Sequence, residues 1–359
     1  MKQMKAFGIT LVLTFLVTPL ALADTGAAHK TKQTPPVKMG TSGGSANDIS
    51  SAFCCGGTLG SLVMRDGVLH ILSNNHILAR SGSATVGEGA LQPGLIDTGC
   101  RSTDSNIVGD FAGDIVPLRT ANVDAAISTA RSNVDTSGAI LDIGVPCSNT
   151  QNATVGLPVM KSGRTTGLTT STVQAVNVNV QIRYQKGCGS GKKFTATYTN
   201  QIATGNMSAG GDSGSLLVSD DGTSNPVGLL YAGSSTLTIH NPIQDVVNAF
   251  SAGGHTFSFV GNVCPASSTT TLASSTTRRP HGPPDSAIEI ATRAKERHAS
   301  NLMKHPNVLG VGVGASDEDP SEAVIVLFVE QGKPIDQPLP TELDGIKVKV
   351  ILTDPIEAQ

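Results

Sequence analysis

The chain has no tryptophan, few aromatic residues of any kind (3%), and no excess of either charge: charged residues make up 15% of it and the formal net charge is -3. Nucleic acid and anionic membrane surfaces attract proteins through basic surfaces, so neither is an expected partner. There is no CxxC pair and no His/Cys cluster, so no zinc pattern is present. His298 and His305 stand alone without a third ligand nearby and read as structural or exposed. No metal and no organic cofactor are expected. Before Cys264 no stretch carries the period of a long amphipathic helix. Glycine, by contrast, is abundant at 40 residues, amid many Val, Thr and Ser. That composition favours short strands and turns.

Lys2 and Lys5 precede a mostly apolar run from Phe7 to Leu22, and Ala21-Leu22-Ala23 fits a small-x-small cleavage site. Residues 1–23 therefore read as an export signal, removed before Asp24, with no membrane association afterwards. The expected location is exported: secreted, or periplasmic in a Gram-negative source. The six cysteines, Cys54, Cys55, Cys100, Cys147, Cys188 and Cys264, suit disulfides in an exported chain. Cys54 and Cys55 point to opposite faces of a strand and so have different partners; the pairing itself stays open.

Residues 24–50 are polar, with Pro35-Pro36 and Gly-Ser clusters, and read as a flexible lead-in or short propeptide. From Ser51 to Cys264 the text is strands and turns, in two sets of about 51–135 and 136–264. Arg65-Asp66-Gly67 between two apolar runs is a hairpin signal. Two such sets suggest an all-β sandwich or a pair of barrels. Residues 265–284 form a Ser/Thr/Pro-rich linker without the apolar content of a core. Residues 285–359 read as a small α/β accessory domain: a helix opened by the Ser286–Glu289 capping-box pattern, then strands at Val308–Val313, Ala323–Val329 and Ile346–Leu352.

The chemistry centres on Gly210-Gly211-Asp212-Ser213-Gly214-Ser215, a serine in a glycine-rich turn ahead of an apolar run. Such a turn exposes amides that can face a developing oxyanion. A serine needs a base to take its proton and an acid to orient that base. His76, just past the strand Val68–Ser73, supplies the base. Asp124, in the small and apolar run Asn122–Ser128, supplies the acid, since a buried carboxylate needs a partner. Asp114 is a rival orienting acid.

The order His76, Asp124, Ser213 is the chymotrypsin-type order. Leu72–His76, Val123–Ile127 and Gly211–Gly214 resemble the chymotrypsin/trypsin-like serine peptidase family, and Ser162-Gly163-Arg164-Thr165-Thr166-Gly167 resembles its bacterial branch. The likeness covers about Gly56 to Phe259. It implies two six-stranded antiparallel β-barrels with the triad between them, and an oxyanion hole from the N–H groups of Gly211 and Ser213. It also implies an Arg164–Asp212 ion pair that stabilises the nucleophile turn, because no Ile-Val-Gly-Gly-like start is present. Met207, Ser208, Ala209 and Gly210 would form one wall of the substrate pocket, and Tyr231-Ala232-Gly233-Ser234 the other. No carboxylate lies in either, so a Lys or Arg side chain is not expected there. Met207 points to a small or apolar side chain; His240 offers an acidic one instead. The expected function is a secreted serine endopeptidase acting on protein or peptide substrates, with an intramolecular contact from the accessory domain. The alternative is a catalytically silent barrel protein used for binding or adhesion.

Overall fold

The structure, a computed structural model, describes residues 26–51, 53–115, 118, 121–264, 282–334 and 337–359. The expected export signal and residues 265–281 of the expected linker lie outside these. A short helical turn, α1 (Ala27–Lys30), leads into β1 (Thr41–Ser45), β2 (Gly57–Leu59), β3 (Ser61–Arg65) and β4 (Val68–Ser73). One turn of helix, α2 (Asn75–Leu78), follows, then β5 (Gly89–Gln92), β6 (Asn106–Ile115) and β7 (Ala126–Ala130). Asp66 and Gly67 at the β3–β4 turn both have positive φ (49° and 78°), the geometry a tight two-residue hairpin requires.

These strands close on themselves. β1 pairs with β2 and β5, β5 with β6, β6 with β7, β7 with β4, and β4 with β3. β2 and β3 are one strand bent at Gly60, whose N–H bonds the Leu72 carbonyl. The core inside includes Leu62, Ile71, Leu72, Val108 and Ile127.

The second ring uses β8 (Pro158–Gly163), β9 (Gly167–Gln185), β10 (Lys193–Gly205), β11 (Leu216–Ser219), β12 (Pro226–Gly233) and β13 (Leu237–Pro242). Its pairing runs β8–β9–β10–β13–β12–β11 and back to β8, all antiparallel. α3 (Ile243–Ser251) then crosses back, and β14 (Phe257–Phe259) pairs with β3 of the first barrel. The all-β, two-barrel expectation therefore holds, although β14 from the second set returns to the first barrel.

Two sequence boundaries need correction. The stretch 24–50 is not a flexible lead-in: β1 lies within it, and Val37 and Met39 are core residues. Thr-Ser-Gly-Gly-Ser reads as a linker, yet the small side chains are what this crowded strand requires. A β-carbon on Gly43 would stand 2.4 Å from the Leu59 side chain.

The residues after 284 are not a detached domain. α4 (Asp285–Leu302), β15 (Val308–Ala315), β16 (Ala323–Glu330), the two-residue β17 (Glu342–Leu343) and β18 (Ile346–Thr353) extend the second barrel's sheet, because β15 pairs with β9. β16, buried along its whole length, lies between β15 and β18. Leu309, Val326 and Phe328 share an apolar cluster with Val178 and Val180 of β9. Lys295 of α4 is buried and donates to the Asn177 carbonyl at 2.8 Å, fastening the helix to β9. The expected capping box is not used: Pro284 precedes the helix, with no side-chain cap. The last strand, β19 (Glu357–Ala358), pairs antiparallel with β12 and parallel with β9.

Candidate active site

His76 sits on α2 directly after β4, and Asp124 lies just before the neighbouring strand β7. The β4–β7 pairing, with Ser73 opposite Ala126, brings the two together. Asp124 is fully buried and faces donors. His76 Nδ1 lies 2.6 Å from its Oδ2, the His76 N–H 3.3 Å from its Oδ1, and the Tyr184 hydroxyl donates to Oδ2 at 2.9 Å. Asn74 Nδ2 donates to the Asp124 carbonyl, and the Asp124 N–H donates to Asn241. Burial opposes a charge on His76, but Asp124, the Gln359 carbonyl and Asp48 together hold its pKa above the ordinary histidine value. Burial first, then the Asp124 charge, pushes Tyr184 well above the ordinary range, so it remains a neutral donor. Asp114, the rival acid, is instead paired with Arg65 at 2.5 Å.

Ser213 is fully buried in the loop leading to β11. The first barrel grips this loop. Thr58 of β2 donates its N–H to the Ser213 carbonyl at 2.8 Å and its hydroxyl to the Gly211 carbonyl at 3.0 Å. Glycine is required at position 214: its φ is +96°, and a β-carbon there would stand 2.1 Å from Ser73 Oγ and 2.2 Å from the Thr58 carbonyl. Among the described residues the N–H groups of Gly211 and Ser213 have no hydrogen-bond partner. Ser213 Oγ donates to the Tyr231 carbonyl at 3.0 Å, not to His76.

Asp212 is also fully buried, but its ion partner is not Arg164. Lys161 of β8 stands 3.3 Å away, both side chains fully buried. The N–H groups of Thr165, Thr166 and Ala209 and the Thr166 hydroxyl also donate to this carboxylate. Arg164 turns the other way and makes two bonds to Asp97, at 2.7 and 2.6 Å. The reason is local: the Arg164 N–H is held by Thr58 Oγ1, and the next two amides face Asp212. The arginine motif thus serves the aspartate with its backbone. Burial lowers the Lys161 pKa, with Asp212 opposing that shift.

The pocket walls are more polar than Met207 implies. Its side chain packs in the core with Val159, Ile202, Leu217 and Val227. Ser208 Oγ lies 2.7 Å from Thr238 Oγ1, which accepts the Met207 N–H. The Ala209 N–H is used on Asp212, and a β-carbon at Gly210 would meet nothing within 4 Å. Tyr231 offers the cleft its carbonyl; its ring packs inward, 5.1 Å from Tyr198. His240 is buried, bonded to Thr204 Oγ1 at 3.1 Å, and pushed down to about 3 by burial and then Lys161. It is a neutral core residue at ordinary pH.

Residues 357–359 lie along this cleft. Ala358 stands opposite Ala232 and Glu357 opposite Gly233. The Gln359 N–H donates to the Tyr231 carbonyl at 3.3 Å, and the Gln359 carbonyl lies 3.2 Å from His76 Nε2. Ala358, Gln359 and His76 also border a cavity of about 190 Å³, together with Asp48, Arg80 and the Cys55–Cys188 disulfide. The other bridges are Cys54–Cys100 and Cys147–Cys264. Cys54 and Cys55 do take different partners.

No protein-family model matches the chain, and no curated protein matches it. Solved structures do. A glutamic acid specific serine protease is 22% identical, with a TM-score of 0.43, covering 62% of this chain and 100% of its own. Thermobifida fusca Protease A is 21% identical, TM-score 0.39, covering 58% and 92%. Alpha-lytic protease homolog N4 is 18% identical, TM-score 0.40, covering 60% and 97%. The two closed rings decide the architecture. This is the chymotrypsin-like double-barrel fold. Within that double-barrel fold, the chemistry has to be read from the chain's own residues.

The structure brings His76 and Asp124 into contact, while Ser213 Oγ meets the Tyr231 carbonyl, which also accepts the N–H of Gln359, the residue whose carbonyl faces His76. Sequence reasoning missed Tyr184, Lys161, Asp97 and Gln359. One signal was available: the chain has three tyrosines, and Tyr184, Tyr198 and Tyr231 all lie in one buried cluster behind Asp124.

Proposed function

We propose that the chain is an exported serine endopeptidase of the chymotrypsin/trypsin-like family. Ser213 Oγ attacks the carbonyl carbon of a peptide bond while His76 Nε2 takes its proton. The oxyanion forms against the free N–H groups of Gly211 and Ser213. His76 then gives the proton to the departing amine, leaving an acyl-enzyme on Ser213. Water, deprotonated by His76, releases the acid and regenerates the serine. Asp124 fixes the imidazole and stabilises its cation.

The observation that carries this reading is the 2.6 Å His76–Asp124 contact, with the opposite ring nitrogen facing the carbonyl of Gln359, whose N–H bonds the same Tyr231 carbonyl as Ser213 Oγ. Three disulfides support an exported protein, since such bonds persist in oxidising compartments. One observation favours the silent binding module instead: Ser213 Oγ bonds the Tyr231 carbonyl. Catalytic hydrogen bonds often tighten only when substrate is bound.

A fluorophosphonate label separates the two readings. It should be applied to the full chain and to a chain ending at Ile356, because residues 357–359 lie over the cleft. Peptide mapping is expected to place the label on Ser213, with none on Ser213→Ala. Absence of label from both chains contradicts the peptidase reading.

A further inference from the structure

Strand β19 has a feature that a merely structural tail would not need: it sits as a substrate would. A peptide presented to a serine nucleophile as an added strand gains main-chain hydrogen bonds from the sheet edge and specificity from side-chain pockets. Here Glu357, Ala358 and Gln359 run antiparallel to β12 down to Tyr231, the residue whose carbonyl also accepts from Ser213 Oγ. On the other side, the Arg183 N–H donates to the Ile356 carbonyl at 2.9 Å. The Gln359 side chain enters the expected pocket wall: its Nε2 stands 2.2 Å from where a β-carbon on Gly233 would be.

We propose that residues 357–359 are a tethered, substrate-like inhibitor, with Gln359 in the side-chain pocket next to the scissile position. The proposal rests on the peptidase reading above for its consequence, but its strand-binding part stands separately. Two geometric facts support inhibition. The Tyr231 carbonyl and the β12 edge, which an incoming peptide would pair with, are already used. Both partners of His76 are acceptors, the Asp124 carboxylate on Nδ1 and the Gln359 carbonyl on Nε2. A proton on each nitrogen leaves the ring unable to receive one from Ser213.

The inhibitor is built to be displaced. Among the described residues Gln359 Oε1, which is buried, meets no donor, which costs affinity. What keeps it in place is attachment. Ile356 is buried among Tyr198 and Tyr231, Ser234 Oγ lies 2.7 Å from Thr353 Oγ1, and Ser235 bonds Asp354. A short tether supplies an effective concentration on the order of 1 mM, so a strand with a free Kd of ~100 μM would leave about one molecule in ten open.

The test compares the full chain, a chain ending at Ile356 that keeps this core anchor, and Gln359→Ala. A fluorescein-labelled heptapeptide of residues 353–359 is the binding probe, read by anisotropy; a glutamine p-nitroanilide peptide reports turnover. The probe is expected to bind the shortened chain and not the full chain. kcat/KM should rise about tenfold on shortening, with Gln359→Ala between the two. Equal turnover by all three chains, or a probe that binds none of them, overturns the proposal. Probe binding to the shortened chain alone, with no turnover by any chain, upholds strand capture and overturns the peptidase reading.

Discussion

Two aspartates are fully buried, Asp124 just before β7 of the first barrel and Asp212 just before β11 of the second, and their surroundings differ in kind. Asp212 is met by three main-chain N–H groups, one threonine hydroxyl and Lys161. None of those donors needs to change protonation during a reaction. The first barrel's Asp124 is met by a histidine and a tyrosine. One carboxylate is wired to hold a loop; the other is wired to a group that exchanges a proton. On the proposed reading, the same residue type, equally buried, serves structure or catalysis according to whether its donors titrate near neutral pH.

This contrast can be broken in graded ways. The largest effect is expected from Asp124→Asn, which should lower kcat of the shortened chain by roughly 10⁴-fold while leaving its urea midpoint close to that of the parent. Lys161→Met should do the reverse. A buried aspartate left without its cation typically costs about 3–5 kcal/mol, visible in urea unfolding, with fluorophosphonate reactivity retained in the folded fraction. If Lys161→Met leaves stability unchanged, the amides alone hold Asp212.

A third buried acid sharpens the comparison. Asp48, beside His76, has no side-chain hydrogen bond among the described residues, and burial pushes its pKa from 3.8 up to about 6 despite Arg80 and His76. Its folded form therefore holds the proton more tightly than the unfolded chain does. Stability is greatest below the unfolded value and is lost as pH rises through about 6, by about 3 kcal/mol. Asp48→Asn should flatten that decline when unfolding free energies are measured at pH 4 and pH 8. The smallest effect is expected from Tyr184→Phe, which removes one hydrogen bond to Asp124. About 1.5 kcal/mol, or roughly tenfold in kcat/KM, should be lost, with KM for the p-nitroanilide unchanged. A change in KM alone would instead assign Tyr184 to substrate binding.

How much of this could be read in advance follows the same division. The His76–Asp124 contact was legible because a buried carboxylate needs a donor and an imidazole N–H supplies one, and hairpin signals such as Asp66-Gly67 set the strands around it. The Asp212 partner was not. A lysine inside a strand reads as exposed, because lysine is rarely buried unless paired, and nothing local announces that Lys161 points at an acid two strands away in sequence. β1 was hidden by its own solution to crowding, since Gly43 and Ser42 look like a linker. β19 is two residues long, below any periodic signal, and its meaning lies only in what it touches. Met207 misled for a related reason: its place in the chain suggested a pocket wall, while its side chain had a core to fill.

The central claim is that Ser213 is activated by His76 under the control of Asp124. The most direct measurement is the pH dependence of Ser213 fluorophosphonate labelling in the chain ending at Ile356. The rate is expected to rise through a single ionisation, that of His76, which in the shortened chain lacks the Gln359 carbonyl that helps raise its pKa in the full chain. Asp124→Asn is expected to remove most of that rate. Labelling that is independent of pH, or that is unchanged by Asp124→Asn, would contradict the claim.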